Sequence, residues 1–308
     1  MRHIVVFQGL RDIGTTPWLE ILTILAVTEK LREAQKILDE EGVKVEGHPL
    51  KLLDYCQGRI PSLSRHSLTA YEHPMIYVAS IALWEAEKPP CDTVMGFSCG
   101  EWTAAVAAGC MTFREGLLTM AERGRLTSQA GGSSLLVRGR LPIKRLRARC
   151  KLVGDVWLAN INSATQGVVS GKPESVARIA TWLEKDHPEL KVSPIDIGGA
   201  FHTPRMEKAK RSLGRFVAQR PFRNPRVPVI CNATGNPEKD PEVIQGLFLR
   251  QMSARLNFLR TIRRLTLNAQ FWEISLPPGR NTVTNLIKSE LQRLPAKGRI
   301  QTVPSFGR

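Results

Sequence analysis

The residue pattern with the clearest chemistry is Gly-Phe-Ser-Cys-Gly at residues 96–100. It fits G-x-S-x-G, in which the glycines allow a sharp strand-to-helix turn that exposes the serine hydroxyl. The context agrees, because the apolar run at 92–95 predicts a short strand and the alanine-rich run at 101–108 predicts a helix. A helix N-terminus beside the serine stabilises the negative charge that develops during attack. The pattern therefore predicts Ser98 as a nucleophile; a chance match in a loop is the alternative.

A serine nucleophile needs a base, and histidine is the commonest one. In α/β-hydrolases the histidine follows the serine along the chain, and only His187 and His202 do so here. His187 ends a charged segment, and a histidine near the C-terminus of a helix needs no catalytic role. His202 lies in the glycine-containing segment 198–206, between a predicted strand and a predicted helix. We therefore predict His202 as the base, with a capping or core histidine as the alternative.

The elements that must position these residues alternate between strand and helix, which indicates an α/β fold. Between 131 and 197 the order is strand, helix, strand, strand, helix, strand, typical of a ferredoxin-like βαββαβ unit. We predict that residues 1–130 and 198–308 form a large α/β-hydrolase-like domain with a parallel sheet, and that 131–197 form a small inserted ferredoxin-like domain. Helical spacing of apolar residues is also present at 18–42, 204–219, 255–268 and 281–292.

Composition restricts the class of protein. The 308 residues are 42% hydrophobic and 23% charged, which fits a globular chain and excludes an intrinsically disordered one. No apolar run is long enough to span a membrane. The six cysteines form no C-x-x-C pair, so neither a zinc site nor a disulfide framework is expected, and a reducing compartment fits better. The chain opens directly with a strand pattern and shows no signal or transit peptide, so we expect either that none exists or that it has been removed.

The positive charge is uneven. The chain carries a net charge of +16, and residues 201–308 hold 20 of its 44 lysines and arginines but only 6 of its 28 acidic residues. Such a surface suits an acidic protein, a phosphorylated ligand or nucleic acid. Arginine-rich runs such as the one at 255–264 are also typical of a solvated helix face.

Several motifs together resemble one known family. They are Gly-Phe-Ser98-Cys-Gly-Glu, Arg123-Gly, Asn-Ser-Ala-Thr-Gln-Gly-Val-Val-Ser-Gly171, Gly-Ala-Phe-His202-Thr-Pro-Arg-Met, Asn232-Ala-Thr-Gly and Glu273-Ile followed by Pro-Gly279 and Leu286-Ile-Lys. In order and spacing, over nearly the whole chain, they resemble the malonyl-CoA:acyl carrier protein transacylases. The phenylalanine before Ser98, where bacterial members usually have histidine, resembles the mitochondrial members.

The resemblance implies a transfer in two steps. Ser98 would take a malonyl group from coenzyme A, and the phosphopantetheine thiol of acyl carrier protein would then receive it, with His202 as base and then acid. Coenzyme A would be bound as a thioester substrate, with no bound cofactor and no metal. The main-chain carbonyl of Gln251 matches the group that orients the family's histidine. The oxyanion hole would consist of the main-chain N–H groups of Cys99 and Leu10.

Two further residues are assigned by the resemblance. Arg123 matches the arginine that holds the free carboxylate of malonate, a task that suits a planar guanidinium. From the residues alone, Arg123 is equally well a solvated helix arginine. Phe201 matches a bulky residue of malonyl-selective members and would crowd an α-methyl branch on the acyl group.

The sequence departs from the family at its first loop. The family opens with Phe-Pro-Gly-Gln-Gly-x-Gln, but this chain has Phe7-Gln-Gly-Leu-Arg-Asp-Ile, so Leu10 replaces the glutamine that helps to form the oxyanion hole. A second departure is Leu276-Pro-Pro-Gly279 in place of Gly-Pro-Gly. Both departures bear on the geometry of the oxyanion hole and on the rate of turnover, and neither bears on the expected fold.

Two alternatives to a malonyl transferase follow. One is a serine hydrolase, or a transferase for another acyl group, on the same fold; a buried Arg123 would be costly there, because the substrate has no carboxylate to neutralise it. The other is a weakly active or inactive scaffold subunit in an RNA-containing assembly, suggested by the altered loop and the basic last third, although no RNA-binding motif accompanies it. The resemblance and the basic charge suggest the mitochondrial matrix, with the bacterial cytoplasm as the alternative.

Overall fold

Two mixed β-sheets and the helices around them organise the chain. The computed structural model describes residues 2–10, 16–60, 62–265, 269–276 and 282–292. Along the chain the elements are β1 (Arg2–Phe7), α1 (Thr16–Ile21), α2 (Leu25–Glu40), β2 (Lys44–Val45), β3 (His48–Pro49), α3 (Leu52–Cys56), α4 (Arg65–Glu87), β4 (Thr93–Gly96), α5 (Gly100–Ala108), α6 (Phe113–Ser128), β5 (Ser133–Arg138), α7 (Ile143–Val153), β6 (Val156–Ser163), β7 (Gln166–Gly171), α8 (Pro173–Asp186), β8 (Lys191–Ile195), a 3-10 turn (Pro204–Met206), α9 (Glu207–Ala218), β9 (Val229–Cys231), β10 (Asn236–Glu238), α10 (Pro241–Ser253), β11 (Leu256–Asn257), α11 (Phe258–Arg264), β12 (Ala269–Ile274) and α12 (Thr282–Leu291).

The first sheet, here called the main sheet, has the order β10-β9-β4-β1-β12. Strands β9, β4, β1 and β12 are parallel, and β10 is antiparallel at one edge. Strand β1 lies inside the sheet, between β4 and β12, and its side chains from Ile4 to Phe7 are buried on both faces. Val5 and Phe7 join the core formed with α2, α4 and α5, whereas Ile4 and Val6 join a second cluster with α11 and α12. A short, continuously apolar strand is what a sheet covered on both faces requires.

The second sheet, here called the small sheet, has the order β11-β6-β7-β5-β8. The pairs β6–β7, β7–β5 and β5–β8 are antiparallel, and helices α7 and α8 pack on the sheet around a separate apolar cluster. Strand β11, from the last third of the chain, pairs in parallel with β6 through Leu256 and Asn257. This two-residue pairing joins the small sheet to the segment that follows α10.

The predicted α/β fold is confirmed, and three predicted helices need correction. The helix expected at 18–42 is two helices, because residues 22–24 close tight turns and Ile24 is extended. The helix expected at 204–219 begins with the 3-10 turn. The helix expected to begin at 255 begins only at Phe258, since β11 precedes it and the Asn257 side chain caps it by accepting from the Arg260 N–H; residues 266–268 of this prediction lie outside the described residues.

Some features were missed, and some predictions fall outside the described residues. The missed elements are the β2–β3 hairpin, α3, β10 and β11. Part of the first loop (11–14), the turn at 277–279 and the tail from 295 lie outside the described residues. Among the helices that the structure describes, none is long and apolar enough to cross a membrane.

The main sheet brings the candidate residues to one edge. Ser98 follows β4, Leu10 follows β1 and Asn232 follows β9, so all three lie beyond the C-terminal ends of neighbouring parallel strands. Open α/β sheets bind ligands at this edge.

Candidate active site

Ser98 occupies a strained turn between β4 and α5. Its φ is 54°, a left-handed value that is unfavourable for serine and typical of a nucleophile elbow. The flanking glycines are required by close contacts: a Cβ on Gly96 would lie 2.0 Å from the Gly100 carbonyl carbon, and one on Gly100 would lie 2.5 Å from the Gln8 carbonyl oxygen. The G-x-S-x-G spacing therefore lets the strand, the turn and β1 approach one another closely enough to present the Ser98 hydroxyl.

His202 completes a serine–histidine pair. Its Nε2 lies 2.8 Å from Ser98 Oγ, and its Nδ1 lies 2.8 Å from the main-chain oxygen of Gln251. Since a carbonyl only accepts, Nδ1 carries the proton and Nε2 is free to accept the serine proton. Burial lowers the pKa of His202 to about 4, so the imidazole is neutral and ready to act as a base near neutral pH. His187, the other histidine considered, instead caps α8 beside Glu189.

A buried network that the sequence did not predict holds this pair. The carboxyl oxygens of Glu101 accept hydrogen bonds from the Asn232 N–H and from Gln251 Nε2. Gln251 Nε2 also donates to the Ser98 carbonyl at 2.9 Å, and Asn232 Nδ2 donates to the Gly96 carbonyl at 2.6 Å. Burial raises the pKa of Glu101 to about 8. The network links Gly96 and Ser98, at the two ends of the elbow, to Gln251, whose carbonyl orients His202. The glutamate directly after G-x-S-x-G was the feature of the sequence from which this network could have been predicted.

The two expected oxyanion donors lie beside Ser98 but differ in their contacts. Cys99 is the N-cap residue of α5, directly after the nucleophile. The Leu10 N–H donates to the Cys99 sulfur at 3.2 Å, a contact that the resemblance did not imply. The oxyanion role of both groups stays a prediction, and for Leu10 it requires this N–H to turn towards a developing oxyanion.

Arg123 is a buried cation without a carboxylate partner among the residues that the structure describes. It lies on α6 and is 1% exposed, and its side chain makes one hydrogen bond within the described residues, from Nη1 to His73 Nε2 at 2.6 Å. Its Nε has no partner, and burial lowers the pKa of Arg123. The alternative of a solvated helix arginine is excluded for Arg123, whereas its neighbours Arg114 and Arg125 form ion pairs near the surface.

A cavity of about 170 Å³ connects the nucleophile with this cation. Phe201 lines this cavity near the cation: its ring centre lies 6.0 Å from the Arg123 guanidinium carbon and 5.9 Å from the His73 ring centre. The small sheet forms another wall of the cavity. The residues that line the cavity include Ser98, His202, Arg123, His73, Phe201 and Asn162.

A second, larger cavity of about 710 Å³ also reaches His202. Here called the basic groove, it is lined by Lys144, Arg147, Lys151 and Arg255, together with Asp155. Partial burial and the neighbouring cations Arg147 and Arg260 lower the pKa of Arg255. Three of its four cations belong to α7, so the positive charge of the basic groove comes mainly from this helix rather than from the last third of the chain. No cluster of possible metal ligands was found in the described ranges.

Comparison with known proteins places this site in a family. A family model described as "Acyl transferase domain" matches residues 64–290, well over half of the chain. The chain is similar to the malonyl CoA-acyl carrier protein transacylase of Synechocystis sp., at 26% identity over 94% of this chain and 93% of that protein.

Another relative is the polyketide biosynthesis protein ThaF of Burkholderia thailandensis, at 32% identity over 66% of this chain but only 18% of that longer protein. Among solved structures, the Synechocystis malonyl-CoA:ACP transacylase superposes with a TM-score of 0.77 at 23% identity, covering 99% of this chain and 98% of that one, which supports the fold. The matched residues 64–290 include Ser98, Arg123, His202 and Gln251, and the chain belongs to the acyl transferase domain family.

Proposed function

We propose that the protein transfers a malonyl group from coenzyme A to the phosphopantetheine thiol of an acyl carrier protein through a malonyl–Ser98 intermediate. The observation that carries this proposal is the buried Arg123, which has no carboxylate partner in the described residues and lines the same cavity as the Ser98–His202 pair. An uncompensated buried cation is costly, and a substrate carboxylate removes that cost. The relatives named malonyl CoA-acyl carrier protein transacylase support the same substrate class.

The geometry supports a simple sequence of proton transfers. His202 Nε2 takes the Ser98 proton while Oγ bonds to the thioester carbonyl carbon; collapse of the intermediate breaks the C–S bond, and the imidazolium protonates the leaving thiolate. In the second half, His202 takes the proton of the carrier thiol, the sulfur attacks the malonyl ester, and Ser98 recovers its proton. The Gln251 carbonyl stabilises the transient imidazolium through Nδ1–H.

The proposed acyl preference depends on two neighbours of the reacting carbonyl. Arg123 would bind the free carboxylate of the malonyl group with N–H donors beyond the one used by His73. Phe201 would disfavour a methyl branch, although one methyl group gives only a modest selectivity. A serine hydrolase on the same fold remains the second candidate, and it would release the acyl group to water rather than to a thiol.

The basic groove is the proposed docking site of the acidic carrier protein. It opens on His202, which the carrier thiol must reach, and it presents four cations and one carboxylate. A solved complex described as a "type II PKS acyl-carrier protein in complex with its malonyl-transacylase" superposes on this chain with a TM-score of 0.79 at 23% identity. Nothing in the comparisons supports contact with RNA, and the scaffold alternative depends on the altered first loop and the basic last third of the sequence.

The proposal also includes the domain division, the pathway and the cellular location. The domain division at 131–197 and its ferredoxin-like character are supported by the strand order β6-β7-β5-β8 and the separate apolar cluster.

The pathway is fatty acid or polyketide synthesis, since relatives carry both kinds of name. The mitochondrial matrix is supported only by Phe97 and the basic charge, and the bacterial relatives favour the alternative location in a bacterial cytoplasm; fractionation of source cells would decide.

The direct test is a two-stage mass measurement. The purified protein is mixed with malonyl-CoA and its intact mass is recorded, and phosphopantetheinylated carrier protein is then added. We expect one malonyl group on the protein, lost on addition of the carrier and gained by the carrier. No adduct would contradict the enzyme, whereas an adduct lost equally fast without a carrier would favour the hydrolase. Carrier protein without phosphopantetheine is the matched control.

A further inference from the structure

The buried contact between His73 and Arg123 has no part in the proton transfers described above. His73 lies on α4 and is fully buried; its Nε2 receives the hydrogen bond from Arg123 Nη1 at 2.6 Å. This is the hydrogen bond that fixes Arg123 among the described residues. Histidines inside apolar helices are commonly core residues, but this one holds the cation that the proposed substrate needs.

Close packing of α4 against α6 builds the contact. A Cβ on Gly124, the residue after Arg123, would lie 2.9 Å from the Ala70 Cα and 3.1 Å from its carbonyl oxygen. Ala70 lies about one turn before His73 on α4. Pro74 has no N–H and so makes no helical hydrogen bond to that carbonyl. The absence of a side chain at 124 lets the two helices approach until the imidazole and the guanidinium meet.

The direction of the hydrogen bond fixes the protonation state of His73. An arginine only donates, so Nε2 must accept and the imidazole must be neutral, with its proton on Nδ1. Burial first, and then the charge of Arg123, keeps the pKa of His73 well below its ordinary value. His73 therefore neutralises none of the charge of Arg123; it acts as a neutral acceptor that orients the guanidinium.

The contact leaves the cation available to a ligand. One of the five guanidinium N–H groups is used by His73, and Phe201 packs near both rings. A carboxylate at this position would have replaced the acceptor but also neutralised the charge, as Glu122 does for Arg125. A neutral acceptor holds the plane of the guanidinium while its full charge remains for an anion in the cavity.

We propose that His73 is a positioning residue for substrate selectivity, which orients Arg123 so that its remaining N–H groups bind the free carboxylate of the acyl group. The inference rests on the proposed function, because it requires an acyl substrate that carries a carboxylate. His73 itself takes no part in bond making at Ser98.

The test compares two side chains of similar length. His73→Gln retains a neutral oxygen acceptor, whereas His73→Met fills similar space without one. For His73→Met we expect the KM for malonyl-CoA to rise about tenfold, the effect of losing a hydrogen bond to a charged group, with kcat little changed because the carboxylate does not react. For His73→Gln we expect a KM within about threefold of the unmutated protein. Neither substitution should alter acylation by acetyl-CoA, which has no carboxylate.

Each other outcome has a defined meaning. Equal KM values for malonyl-CoA in the Met and Gln variants, or a parallel loss with malonyl-CoA and acetyl-CoA, would overturn the positioning role and leave a structural one. If His73→Met does not fold, as judged by thermal melting, His73→Asn replaces it; its shorter amide cannot reach Arg123, so the same rise in KM is expected. If the unmutated protein is not acylated by malonyl-CoA, the proposed function fails first, and this inference with it.

Discussion

The two sides of the cavity that connects Ser98 with Arg123 differ in how their side chains are bonded. On the reacting side, Ser98, His202, Gln251 and Glu101 are joined by buried hydrogen bonds within the protein. On the recognition side, Arg123 is equally buried but has one neutral partner and no carboxylate among the described residues. The difference shows which geometry the protein fixes beforehand and which interaction it leaves for the substrate.

The largest effect should come from the reacting side. Ser98→Ala removes the group that carries the acyl chain, and we expect transfer to fall by about 10⁴-fold or more, with no covalent adduct. The variant should remain folded, because the contacts with Gln251 and Asn232 use the Ser98 main chain and only the bond from its hydroxyl to His202 is lost. Intact mass and thermal melting are the measurements. An adduct of normal yield on this variant would place the nucleophile elsewhere.

Replacement of Arg123 should lower the activity with malonyl-CoA but not the activity with acetyl-CoA. For Arg123→Leu we expect kcat/KM with malonyl-CoA to fall about 10²-fold or more, as when one member of a buried charge pair is removed. Acylation by acetyl-CoA should not fall. Arg125→Ala is the matched control on the same helix, since that arginine is paired with Glu122. Equal losses with both thioesters would show that Arg123 supports the fold and not recognition.

The basic groove should affect only the second half of the reaction. For the double variant Arg147→Glu, Arg255→Glu we expect the KM for carrier protein to rise about tenfold at low salt, and less at high salt because exposed charges are screened. The yield of malonyl–Ser98 from malonyl-CoA should be unchanged. Arg263→Glu, an exposed arginine on α11 outside the groove, is the control. If that variant weakens the carrier step as much, net charge rather than the groove governs docking.

The pH dependence should show the smallest change. The pKa of His202 is lowered by burial from 6.5 to about 4, so the free base is lost only as the pH falls towards that value. Single-turnover acylation should therefore vary by about twofold or less between pH 8 and 5.5 and then decline. An ordinary histidine would lose half of its free base at pH 6.5. A midpoint near 6.5 would mean that His202 is more open to water than the fold indicates.

The sequence predicted those parts of the site that depend on local patterns. The elbow around Ser98 is a strand–turn–helix signal, and His202 followed by elimination; Arg123 and Gln251 needed the resemblance. The contacts of Glu101 and His73 were missed because they join residues 131 and 50 positions apart, and spacing along one element contains no information on such pairs. Strand β11 was missed for the same reason, since two residues have no periodicity and their pairing with β6 is long-range.

The central claim is that Arg123, which has no carboxylate partner among the described residues, selects acyl groups that carry a carboxylate. One competition measures it directly: equal concentrations of malonyl-CoA and acetyl-CoA are offered to the unmutated protein, the reaction is quenched within one turnover, and the adducts are compared by intact mass. We predict that the malonyl adduct exceeds the acetyl adduct by about tenfold or more. Equal amounts of the two adducts, or more acetyl than malonyl, would contradict the claim.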